Sequence, residues 1–588
     1  MPRLHTLQDV PEKVDGTTIK NSKGVLELKN DFVTINENKV KLGGSISLTS
    51  RIKDFGAVGD GTTDDTAAVL SALSASSVRV LDGEGLTYKC NSMITPTSDY
   101  ITVQNATFDF SGVTATGSAN NAFIMFEGTA ASATALSSDI NVGGNVLTVA
   151  STTGFTAESW HILESDAVFE SGQSVTLGQY VLIKSVDSST QVTLHNDVLY
   201  KFETSDNAQL VPITMKKNIT FRNVNIIGAN PSGTTTENIH TGLRFERCEE
   251  VTVENCKFND IDYVACAIDR SVNVNVSNCN VRHATATGLS YGFAIVNGSY
   301  SVNITNSYGQ DLRHFVTLGD NEGVNLFINV TNCHTSACRD AAIDAHAAAD
   351  FVNFSGNTLE GSTFDSGQQD GIIFQGLNCI MNDNLIVGIR RNAIFHQVLP
   401  NIAEADGGSA SSVITGNQII NHGGSSSTEA SIIVSNLQNV LGKVDGVTIS
   451  NNVTKGVTNI GIYIQAVGAS IKNVTINGNV ICDSVTTSCW VRAYDSYAVD
   501  NVSISANVFN FTASGSEGVY LLGTSSTKVS NAVVSNNVIT GTDTSDTGIR
   551  LSDTNFVVVV GNVIKDTTVP INPASAASNH SYSTNLSN

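Results

Sequence analysis

One short phrase returns along the chain and limits its fold more than any other feature: apolar–x–apolar–Ser/Thr/Asn–x–Asn–apolar. It reads VTISNNV at Val447 to Val453, VTINGNV at Val474 to Val480 and VSISANV at Val502 to Val508. It returns as AVVSNNV at Ala532 to Val538 and VVVVGNV at Val557 to Val563. Upstream the Asn column is held by Asn417, Asn384 and Asn357, then by Cys333, Ser307, Cys279 and Cys256. Successive members lie 23 to 35 residues apart. A fixed motif with elastic spacing is the signature of a solenoid, whose strands stay in register while loops vary.

The motif has a physical reading. Alternating apolar residues turn one face of a strand inward. Asn tolerates the left-handed backbone of a sharp corner, and its amide can bond the Asn one coil away. The expected fold is therefore all-β, a right-handed single-stranded parallel β-helix. About twelve coils at ~4.8 Å each would give a rod on the order of 60 Å long. On this reading Cys256, Cys279 and Cys333 form a thiol column at a corner, not a disulfide set.

The segmentation follows the repeat. Residues 1–50 alternate polar and apolar and read as a separate N-terminal β segment. Residues 51–130 hold the first coils and a capping helix over Thr63 to Ser76, with Ala68, Leu70 and Leu73 as its apolar residues. The repeat lapses over 131–212, where LTVAS, YVLIKSVD and QVTLHND indicate a small inserted β subdomain. The main helix runs over 213–570, and 571–588 reads as a loose tail.

A net charge of −22 argues against a nucleic-acid partner, which needs clustered Lys and Arg. No apolar run approaches the ~20 residues of a membrane helix, so no membrane insertion is expected. The start, MPRLHTLQDV, lacks a secretory pattern, consistent with synthesis in a host cytoplasm. The ten Cys show no metal-like spacing, and neither a metal nor a cofactor is expected.

Three segments carry a family resemblance. RIKDFGAVGDGTTDDTAAVLSAL, Arg51 to Leu73, resembles the opening motif of the pectate-lyase-like superfamily, widespread in bacteriophage tailspikes and polysaccharide-degrading enzymes. The stretch around GNVLTVASTTGFTAESWHILES is similar to a subdomain many tailspikes carry ahead of the main helix. DLRHFVTLGD, Asp311 to Asp320, and CRDAAIDAHAAADF, from Cys338, resemble an Arg-His element and an Asp-x-His element of tailspike-like depolymerases. Ala345 stands where that element would carry Thr. The resemblance implies a homotrimer, attachment to a phage tail or baseplate through the N-terminus, a place in the virion tail, and a bacterial surface polysaccharide as partner.

Candidate chemistry gathers on two adjacent coils. Asp344 and His346 share a face of one strand because side chains alternate. Arg313 and His314 lie one coil away, Asp340 follows Cys333, and Asp320 has the same corner offset as His346. Glycoside hydrolysis needs paired carboxylates, and β-elimination at a uronate needs a base beside a cation. The candidate catalytic residues are Asp344, His346, Asp320, His314 and Asp340. Arg313, Arg339, Gln375, Arg391, His396, Trp490 and Arg492 are candidate substrate contacts. Polar ladders are also ordinary solenoid structure, but four such groups on two coils favour chemistry. Asp60, Asp64 and Asp65 fit turn and cap roles instead. The loop Asn401 to Ser412 is long enough to wall a groove, with Glu404 and Asp406 as reserve carboxylates. Hydrolysis of a capsule, O-antigen or exopolysaccharide is the leading expectation, with lyase chemistry and a non-cutting glycan-binding spike as alternatives.

Overall fold

A computed structural model describes residues 49–587 except 114–120, 171–173, 229–239, 283–289, 320–321, 362–368, 404–405, 422, 424–427, 437–442, 458, 543–544 and 574–578. Before residue 49 it describes only short strands, which pair as three antiparallel hairpins between Lys13 and Lys41.

The chain winds as a parallel β-helix. One coil shows the plan: strand Thr241–Glu246 enters sheet A, Cys248–Glu254 enters sheet B, and Lys257–Asn259 enters sheet C. Sheet A stacks 14 strands, each hydrogen-bonded in parallel to the strand one coil earlier. Arg247, between A and B, and Asn255, between B and C, both have positive φ, so single residues make these corners. The third side carries loops of variable length, which explains the elastic period.

The interior is a set of apolar columns. In sheet A, Leu243, Cys266, Phe293, Val316, Ile343, Ile372 and Ile394 pair in sequence and are fully buried. Each such residue contributes about 1.5–3 kcal/mol of burial. At the B–C corner the Asn column is real. Asn357, Asn384, Asn417, Asn452, Asn479, Asn507, Asn537 and Asn562 each donate Nδ2 to Oδ1 of the next at 2.9–3.0 Å, ending on Asn585. Cys279 and Cys333 continue it downward by accepting the same register: their backbone N–H groups donate to Ser307 Oγ and Asn357 Oδ1. All ten thiols are free. Asn585 also corrects one expectation. The end of the chain is no loose tail, because Ser581–Ser583 and Leu586–Ser587 pair with the preceding coil.

The α-helix spans Thr66–Leu73 and buries Val69, Ala72 and Leu73, while Leu70, expected inward, is exposed. Asp65 accepts the backbone N–H groups of Val58 and Gly59, and Asp60 those of Thr62 and Thr63, which are turn roles. The insert is an antiparallel sheet of seven strands between Thr129 and Thr214. It lies along the A–B corner. Trp160 Nε1 donates to Glu249, Tyr180 Oη to the Arg270 carbonyl and Tyr200 Oη to Asp350. The Asn401–Ser412 segment meets this sheet, with Asn401 N–H on the Phe169 carbonyl and Lys201 N–H on that of Asp406. It anchors the insert; Glu404 lies outside the described residues.

Candidate active site

Strand His314–Gly319 and strand Ile343–Ala345 are neighbours in sheet A, with Thr317 paired to Asp344. The inward residues of the second strand are Ile343 and Ala345, both fully buried. Ala345 therefore packs in the core between Leu318 and Phe374, and its departure from Thr leaves the outer face untouched. Asp344 points outward and His346 follows on the same face.

The result is one carboxylate oxygen between two imidazoles. Asp344 Oδ2 lies 3.3 Å from His314 Nε2 and 3.3 Å from His346 Nε2. His314 stacks on Tyr291 at 5.4 Å and sets Nδ1 2.7 Å from the Ala341 carbonyl, which can only accept. Arg313 donates to Tyr291 Oη at 2.9 Å and reaches Asp340 at 3.6 Å. The His314 and Asp344 side chains are nearly enclosed, whereas that of His346 is 36% exposed.

The groups shift one another. Burial pushes the Asp344 carboxyl up, but the His346 hydrogen bond and the charges of His314, His346 and Arg313 outweigh it and hold the group below its ordinary range. The hydrogen bond to Asp344 raises His346 against its burial, with the charges of Asp344 and Glu170 adding and Arg313 opposing. Burial lowers His314 despite the pull of Asp344. Two imidazoles thus flank one carboxylate and shift in opposite directions, the open His346 upward and the enclosed His314 downward.

The remaining candidates divide. Asp340 joins the cluster through Arg313. Asp320 lies outside the described residues, and the register places Gly319 beside His346: a Cβ built on Gly319 would stand 2.8 Å from that of His346. Arg339 donates to the Asp311 carbonyl nearby. Gln375 lies on the outer face one coil above, bonded to Gln397. Arg391 pairs with Asp370 and Glu429 and lines a cleft of about 270 Å³ with Phe395, Gln397, Ser435 and Gln465. Phe395 continues the outward column of Asp344 two coils up, about 10 Å away. Trp490 stacks between Tyr463 and Tyr520 higher in that column, and Arg492 lies over Trp490 and Tyr494.

His396 is a correction. It occupies an inward column between Phe374 and Val434, is fully buried, and bonds Ser412 Oγ and the Gly376 carbonyl. Burial lowers it to about 4, so it is a neutral core residue out of reach of a glycan. Tyr291, which carries both Arg313 and His314, was missed, although it lies at their register one coil earlier.

Residues 57–115 match the family described as the N terminal extension of bacteriophage endosialidase. The tailspike gp61 of Pseudomonas phage phi297 superposes with a TM-score of 0.63 at 16% identity, over 81% of this chain and 82% of that one. The fold is that of a phage tailspike. Gp54, the tailspike of Acinetobacter baumannii bacteriophage AP22, solved with a capsular saccharide, gives 0.53 at 14% identity over 91% and 79% of the two chains. A capsule K1-specific depolymerase of Klebsiella phage K64-1 is 22% identical over 244 residues, 38% of this chain. That match spans about a quarter, 26%, of the depolymerase's length.

Proposed function

We propose that this tailspike-like protein binds and cleaves a bacterial capsular or related surface polysaccharide, by hydrolysis, on the outer face of sheet A. The observation that carries the reading is Asp344 Oδ2 held 3.3 Å from each of two imidazoles, beside an open His346. In this reading His346 donates a proton to the leaving glycosidic oxygen as its bond to the anomeric carbon breaks, and Asp344, as base, takes the proton of the water that adds to that carbon. His314, fixed by Ala341 and Tyr291, orients Asp344. Arg313 and Asp340 border the reacting sugar. Gln375, Arg391 and the cleft above them hold the next sugars, and Trp490 and Arg492 extend the track.

A β-elimination reading is supported by Arg313, whose guanidinium beside the cluster would neutralise a uronate carboxylate. Unsaturated uronate ends, detected by their ultraviolet absorbance and by mass spectrometry, separate the two. The test of either is reducing-end release from a capsule panel by wild type and Asp344→Asn. Cleavage by wild type alone supports the reading, and binding without cleavage by both makes the protein a non-cutting spike.

In this reading the working form is a homotrimer in the virion tail, attached through residues 1–50. A stripe on sheet B favours such an assembly: Phe327, Phe351, Ile380 and Val413 are each 37–45% exposed.

A further inference from the structure

The inserted sheet is more than an appendage, because one of its carboxylates is buried at the level of the candidate site. Glu170 pairs with Val175, and the next residue, Thr176, bridges in parallel to Glu322. On its other side, the Phe169 carbonyl accepts the N–H of Asn401 at 2.7 Å. Glu322 follows strand His314–Gly319, and Asn401 follows strand Ile394–Val398, three coils further on. Glu170 is therefore clamped at the coils between, those of His346 and Gln375. It is 6% exposed. On the coil below, Gly319 stands beside His346, where an added Cβ would come 2.8 Å from the His346 Cβ.

We propose that Glu170 is a positioning residue of this site, holding the His346 imidazolium from the insert while Asp344 holds it from sheet A. The inference rests on the Asp344 reading above. Among the described residues, the charged groups that act on His346 are then Asp344 on its own strand, Arg313 from the coil below and Glu170 from the insert. Glu170 and Asp344 favour the imidazolium, and Arg313 opposes it. Two carboxylates against one guanidinium keep the proton donor charged at a pH where free imidazole, near 6.5, has mostly lost its proton. No motif marks Glu170 in the sequence; only the fold brings it to His346.

The experiment is the pH profile of polysaccharide cleavage by Glu170→Gln beside wild type and Asp344→Asn. Loss of this carboxylate moves the alkaline limb of kcat/KM toward acid, since the charge of Glu170 raises His346. At pH above neutrality kcat falls several-fold while KM and the thermal midpoint hold. A titration of His346 by NMR of histidine-labelled protein reads the same shift without activity. If Glu170→Gln fails to fold, Glu170→Asp is taken through both measurements, and an unmoved limb and titration there overturn the proposal equally. An unmoved limb in Glu170→Gln with an inactive Asp344→Asn leaves the site reading standing and removes Glu170 from it. If Asp344→Asn cleaves like wild type, the site reading itself fails.

Discussion

Two of the polar side-chain stacks in this molecule are built on opposite terms. At the B–C corner, Asn479 donates Nδ2 to the Ile449 carbonyl and to Asn507, and accepts from the backbone and amide of Asn452. The coils from Asn384 to Asn562 repeat this, and each group is neutral and satisfied from within the chain. On the outer face of sheet A, His314, Asp344 and His346 stack on two coils only. They are ionisable, they share one oxygen, and one of them faces solvent. A periodic, closed polar stack stabilises the coil. An aperiodic one of ionisable groups is where the proposed function places the ligand.

The sharpest way to break this distinction is to substitute one member of each stack. Asp344→Asn is expected to lower cleavage by more than about a thousandfold, the scale of losing an essential catalytic group, with an unchanged melting curve. Asn479→Ala should do the reverse. It strands buried donors and acceptors above and below, for a loss of about 3–4 kcal/mol in chemical denaturation, while folded protein keeps its specific activity. If Asn479→Ala is silent in stability, the corner column is ornament.

His396 sharpens the comparison with pH. Its imidazole is held near 4 in the folded core against about 6.5 when unfolded. The folded state binds fewer protons in that window, so its contribution is intact above about 6.5 and is lost as pH falls toward 4. Wild type should lose roughly 2–3 kcal/mol more than His396→Gln between pH 6.5 and 4.5. The smallest effect belongs to the aromatic column: Trp490→Ala should raise KM about tenfold, the value of one stacked ring, with kcat unchanged. A change in kcat would place Trp490 nearer the chemistry than its position several coils above Asp344 suggests.

The legible and illegible parts of the sequence divide along the same line. The corner motif gave away the winding because its Asn is demanded by the neighbour above; the left-handed backbone expected of that Asn falls instead on the residue before it, as at Asn451, Gly478 and Asn536. Asp344 and His346 were readable as a pair because alternation alone puts them on one face. Counting from the corner sets Asp320 beside His346, whereas Gly319 stands there, because the two coils are out of step by one residue; Asp320 itself lies outside the described residues. The slip arises at Ala337, where φ is positive and the register between Thr335 and Cys338 shifts. His396 sits in an apolar alternation, Ile394–His396–Val398, which is the inward signal it was denied when judged by residue type. Glu170 had no local mark, because its neighbours in space come from an insertion rather than from the repeat.

The most direct measurement is a crystal structure of Asp344→Asn with an oligosaccharide of the cleaved capsule. The account predicts a glycosidic oxygen within hydrogen-bond reach of His346, with sugars continuing past Gln375 toward Phe395. A saccharide seated elsewhere on the rod, with the His346 face bare, would contradict it.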